Sequence, residues 1–174
     1  RCQNIDIPCL NDAYIHEWLI EKQLSEVDAD ILVKISRGNI HNARMLLSQS
    51  IEDIMNTIEK LTTTVIGKDP QKWRNFISHY SRVFNVSQLD FGRQLNLIII
   101  WLQGANKLRQ NLVSGFERTG LHSRMISFNE KFPNANIYKI ILCIEEVKSL
   151  ARQNLYMPLI LLNMLLDIQE LIYE

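Results

Sequence analysis

The chain has 174 residues, 47% of them hydrophobic, enough to fill the core of one ordinary domain or two small ones, which argues against a disordered chain. Lysine plus arginine equals aspartate plus glutamate at 19 each, so no global field draws the chain to nucleic acid or to an acidic membrane, although a local patch stays possible. Its three cysteines, Cys2, Cys9 and Cys143, are odd in number and lack CxxC spacing, which argues against a disulfide framework or a zinc knuckle and fits a reducing cytoplasm.

Gln3 to Ile7 alternates polar and apolar residues and stops at Pro8, a short edge strand at most. Asn11 or Asp12 can cap a helix with Ile15, Trp18 and Leu19 on one face, ending near Glu21 or Lys22. Ser25 caps a second helix, whose face is Val27, Ile31, Leu32 and Ile35 and which Gly38 breaks. Asn39 caps a short third helix lined by Ile40, Ala43 and Leu47. From Ser50 the segments lengthen, which places a domain boundary between residues 48 and 49.

In the second domain, 49–174, Ile51 to Val65 marks one apolar face and ends at Gly67-Lys68-Asp69-Pro70. Pro70 starts a helix through Tyr80, and Ser87 caps another containing Leu95 to Leu102, apolar nearly all round and therefore central. Ala105 to Phe116 either prolongs that helix or forms a separate segment after Gly104. Arg124 to Phe132 reads as a weaker helix, and Ile137 to Ala151, led in by Asn136, as the clearest amphipathic helix of the chain. The last helix runs from Pro158 to about Ile172. The expected fold class is all-α, in two helical domains. The richest apolar runs, Leu97 to Leu102 and Leu159 to Leu166, fall far short of the ~18 apolar residues of a membrane span. The start of the sequence shows no secretory signal.

Chemical motifs are sparse. The four histidines, His16, His41, His79 and His122, stand far apart in the chain, so no metal site is expected. Gly67-Lys68 is followed by Asp69, and Gly115 to Gly120 by Leu121, so neither makes a phosphate loop. No nucleophile elbow surrounds any serine, which leaves a Ser-His-Asp set without order. Arg118, His122, Arg124 and Lys131 are interleaved with Phe116, Phe128 and Phe132. Such a stretch can contact phosphate and stack on bases, but the simpler reading is a helix core with solvated charges. Trp18, Trp73 and Trp101 read as core residues or interface anchors, and a helix apolar on more than one side either crosses its domain's centre or packs on another subunit.

Arg1-Cys2-Gln3 is similar to the Ser-Arg-Cys segment of AAA+ clamp-loader subunits, and Asp28 to Asn39, with Ala43 and Leu46-Leu47 after it, resembles their lid helix and glycine turn. Ile144-Glu145-Glu146 through Leu150-Ala151-Arg152-Gln153-Asn154, followed by Leu159 to Leu166, resembles the collar of the delta-prime family of bacterial DNA polymerase III clamp loaders. The resemblance implies a three-helix lid over 1–48, carrying a remnant strand at its start, and a helical collar over 49–174, the whole beginning just after an ATPase core. It implies that Arg1 acts in trans as an arginine finger on a neighbour's ATP. It places His41 where motor subunits have a sensor arginine, with Arg44 a turn further on as a substitute. A neutral imidazole does not replace a permanent bidentate cation, which favours a non-motor subunit over a tau/gamma ATPase motor. The implied partners are the delta and tau/gamma subunits, with the sliding clamp and primer-template DNA engaged indirectly. No enzyme activity, bound cofactor or metal is expected in this stretch. The remaining alternative is an unrelated all-α adaptor.

Overall fold

The computed structural model describes residues 8–47, 50–151, 153 and 155–173, and among them the chain forms nine α-helices and no strand. The expected edge strand over Gln3 to Ile7 lies outside the described residues. The fold class is therefore all-α. The chain falls into two compact units, one ending at Ile54 and the other beginning at Met55.

In the first unit, α1 (Asp12–Glu21) is capped by Asn11, whose side chain accepts from the Ala13 amide at 3.1 Å. Ile15 and Leu19 are fully buried, while Trp18, the third residue of their stripe, is only half-buried. The α2 helix (Glu26–Ser36) starts on Ser25, whose hydroxyl accepts from the Asp28 amide at 3.2 Å and donates to the Asp28 carboxylate at 2.8 Å. Its C-terminus turns through two left-handed residues, Arg37 at φ 52° and Gly38 at φ 75°. Gly38 is packed tightly as well as twisted. Its carbonyl accepts from the Leu10 amide at 2.9 Å, and a Cβ there would lie 2.7 Å from Cys9 Cβ and 2.9 Å from the Leu10 oxygen. The next helix, α3 (Ile40–Leu46), is capped by Asn39, which accepts from the amides of His41 and Asn42.

The α4 helix (Ile51–Ile66) begins on Ser50, which caps the Asp53 amide at 3.0 Å, and buries Ile54, Ile58, Leu61 and Val65. The second unit continues with α5 (Pro70–Val86), capped by Asp69, and α6 (Gln88–Arg109), capped by Ser87. The remaining helices are α7 (Gly120–Lys131), α8 (Ile137–Leu150) and α9 (Met157–Tyr173). Burial of α6 is nearly all round, taking in Phe91, Leu95, the run from Ile98 to Leu102, Gly104 and Ala105. Helices α5, α7 and α8 supply its walls. Edge-to-face aromatic pairs join Phe84 to Phe91 at 5.5 Å and Trp101 to Phe128 at 5.3 Å.

Three details differ from the expectation. The α6 helix ends at Arg109, so Gln110 to Thr119 is a connection and not a prolonged helix. The α7 helix starts at Gly120, ahead of Arg124; Thr119 stands at its cap without a side-chain capping bond and donates instead to the Phe116 carbonyl at 2.8 Å. The usual start signal is therefore missing. Helix α8 is less one-sided than α4, since Tyr138 and Leu142 are exposed while Ile137, Ile140, Ile144 and Val147 are buried.

The end of α4 carries no basic residue in its last turn, and distant side chains complete its free carbonyls instead. Gln169 of α9 donates to the carbonyls of Val65 and Ile66 at 3.0 Å each and of Gly67 at 3.3 Å. The Trp73 indole donates to Thr64 at 3.2 Å and Gly67 at 2.9 Å. Lys68 then lies 3.5 Å over the Tyr173 ring, which meets Phe132 edge-on. Gln169→Ala is expected to cost about 1–3 kcal/mol by leaving the Val65 and Ile66 carbonyls without this donor. The exposed neighbour change Glu170→Ala should stay within about 0.5 kcal/mol in the same urea titration. Gly38→Ala is expected to destabilise the first unit by at least ~1 kcal/mol, from positive φ and the contact with Cys9, read as a lower denaturation midpoint.

Candidate functional site

Arg1, the residue implied to reach a neighbour's nucleotide, lies outside the described residues. His41 and Arg44 stand three apart on α3, both exposed, and among the described residues neither side chain has a hydrogen bond or ion pair. The fold thus leaves an imidazole and a guanidinium on adjacent turns of a seven-residue helix, uncommitted to the structure of their own unit.

An uncovered apolar feature lies on α9. Leu159, Leu162 and Leu166 are 53%, 37% and 50% exposed. Their spacing of three and four puts them on one stripe, and Tyr173 continues it at the same helical phase. The opposite side of α9 buries Leu161, Met164, Leu165, Ile168 and Ile172, so the helix is apolar on two faces and its own unit covers only one. Asp167 and Glu170 flank the stripe and are exposed, and α9 contains no basic residue. Helix α8, packed against α9, adds exposed Tyr138 and Leu142. Between the two helices, burial first and then the charges of Asp167 and Glu146 push the Cys143 thiol up to about 11, which keeps it protonated and unreactive at neutral pH.

The basic stretch proves unsuited to stacking on bases. Phe116, Phe128 and Phe132 are all buried, so their faces are spent on the core. Arg124 is paired with Glu59 at 2.7 Å, and Lys131 lies over the Phe132 ring. The simpler reading of this stretch, core plus solvated charges, fits the packing.

Within the same region, a serine, a histidine and a glutamate do meet. Ser114, itself buried, donates its hydroxyl to Glu117 at 2.8 Å, and His122 Nδ1 lies 3.4 Å from the same oxygen. In a nucleophilic triad the imidazole takes the serine proton and the carboxylate orients the imidazole. Here the carboxylate takes the serine proton directly, and it also accepts from the amides of Ser114 at 2.6 Å and Gly115 at 3.1 Å. The cluster locks the α6–α7 connection. Burial acts to raise the Glu117 pKa, but hydrogen bonds from its own backbone amide and from Ser114 and Gly115 outweigh it and hold the carboxyl below its ordinary value.

A second lock was not legible in the sequence. Arg109 Nε donates to Asn129 Oδ1 at 2.8 Å, and its terminal nitrogens donate to the carbonyls of Ala135 at 2.7 Å and of Phe132. Asn129 in turn donates to Ala105 at 2.8 Å. One guanidinium thereby fixes the end of α7 and the turn into α8. Its acceptors are mostly backbone carbonyls more than twenty positions away, and no residue pattern signals them.

Among the described residues no group of three or more side chains is arranged to hold a metal ion, and no helix is long and apolar enough to cross a membrane. No protein-family model, curated protein or solved structure matches the chain.

The lowered pKa of Glu117 gives a signed expectation. Because the folded group titrates below its unfolded value, the stability it contributes is full above the ordinary carboxylate pKa and is lost as pH falls through the lower folded value. The stability gap between wild type and Glu117→Gln, followed by denaturant unfolding across pH, should therefore close on acidification.

Proposed function

We propose that this chain is the lid and collar part of a non-motor clamp-loader subunit of bacterial DNA polymerase III, of the delta-prime kind. The observation that carries this reading is the exposed leucine stripe of α9, together with Tyr138 and Leu142 on α8. A soluble helix that keeps leucines in water along several turns is placed for another helix to cover. A standard interface removes about 800 Å² per partner, and burial at about 25 cal/mol per Å² supplies the affinity. The acidic flank at Asp167 and Glu170 adds a specificity element, favouring partner helices with lysine or arginine beside their apolar seam.

On this reading α4 to α9 form the collar and pack beside the collars of the delta and tau/gamma subunits, while α1 to α3 form the lid. Arg1 is presented to the ATP of a neighbour, where a fixed guanidinium stabilises charge developing on the γ-phosphate. The part played is that of a stator in ATP-driven loading of the sliding clamp onto primed DNA in the cytoplasm. His41 at the sensor position favours this role over that of a tau/gamma motor, since neutral imidazole is a poor phosphate clamp.

The test is assembly. Mixed with the collar domains of delta and tau/gamma, the chain should form a defined heteromer by light scattering. Leu162→Asp and Leu166→Asp, both at exposed positions, should each weaken it by at least about 2 kcal/mol, roughly 30-fold, without loss of helical circular dichroism. A chain that stays monomeric with every collar partner is an adaptor of another kind.

A further inference from the structure

We propose that the groove between α4 and α5 binds a small phosphate-bearing molecule of about nucleotide size. The groove is open to solvent and has a volume of about 680 Å³, within the range of small-molecule sites. Helix α4 contributes Lys60 and Leu61 to its lining, α5 contributes Lys72, Phe76 and His79, and α6 contributes Gln94.

The charges are uncompensated. Lys60 and Lys72 both line the groove, and among the described residues neither ammonium has a hydrogen bond or an ion pair. The one carboxylate on the lining, Glu59, is already paired with Arg124 at 2.7 Å. His79 adds a third nitrogen donor that becomes cationic on protonation. Beneath these groups lies an apolar floor of Leu61, Phe76 and Tyr80, each buried. Tyr80 lines the groove and is 6% exposed, and among the described residues its phenol shows no hydrogen bond. Burial holds its pKa well above the ordinary value, so it stays a neutral donor at the base of the site.

Two ammonium groups, an imidazole and a phenol, all able to donate, line one groove with apolar side chains that can take a flat or aliphatic body. A phosphate monoester suits this set better than a carboxylate, because its three terminal oxygens accept more hydrogen bonds and carry more charge at neutral pH. With no glycine-rich loop at the groove, the anion is held by side chains and not by backbone amides. A nucleic-acid strand suits it less, since strand binding calls for exposed aromatic faces and a basic track, and Phe76 and Tyr80 are buried in a chain of zero net charge.

Calorimetric and NMR titrations of the whole chain with AMP, inorganic phosphate and adenosine test the proposal. AMP should bind saturably, shifting the His79 and Gln94 resonances, and adenosine should bind at least tenfold more weakly. The double change Lys60→Gln/Lys72→Gln, at exposed positions, should lower AMP affinity at least tenfold with an unchanged circular dichroism spectrum. Tyr80→Phe keeps the packing and should weaken binding several-fold. No saturation by AMP or phosphate at about 10 mM, equal binding of adenosine and AMP, or full affinity in the double variant would each overturn the proposal.

Discussion

A helix that is apolar on every side must be walled on every side, and α6 imposes that condition on the second unit. Its run from Ile98 to Leu102 presents a buried side chain at each successive position, which no single neighbouring helix can cover. Helices α5, α7 and α8 are recruited as walls, and where α7 passes closest Gly104 leaves room for Met125. The cost is visible too. The Trp101 indole nitrogen is buried without a hydrogen-bond partner among the described residues, while its ring packs against Phe128.

Walls built around one helix leave ends that must be closed, and this chain closes them with long side chains reaching across sequence distance. Gln169 completes the end of α4, Arg109 fixes the end of α7, and Lys148 joins α8 to α6 through Asn96 at 2.6 Å. Each bond runs between elements that burial has already brought together. They therefore fix one arrangement more than they drive collapse, and a helix end left open in their place would carry unpaired carbonyls. The Ser114–Glu117–His122 cluster belongs to the same set of devices, which explains why its order differs from that of a nucleophilic site.

The same economy of cover gives the surface its meaning. Once α6 has taken α5, α7 and α8 as walls, α9 is left at the periphery with two apolar faces, one against α8 and α5 and the other open. Asp167 and Glu170 beside the open face add a sign to it, so the patch can discriminate among partners as well as attract them. Assembly and the α4–α5 groove use different elements, and either can fail without the other.

Helix-forming segments, caps and the all-α class were legible in the chain because they rest on interactions within a few residues. Asn11, Ser25, Asn39, Ser87 and Asn136 all cap the helices that their positions announce, and the apolar run in α6 announces its own centrality. The start of α7 escaped because Thr119 turns its hydroxyl backward, and the aromatic residues around Arg124 were ambiguous until packing drew them inward. Which side of α9 stays open, which lysines face a shared groove and which carbonyls receive Gln169 or Arg109 were decided only by tertiary structure. Periodicity fixes the phase of each helix on itself, whereas the relative placement of helices depends on contacts summed over the whole core, and no local pattern encodes that sum.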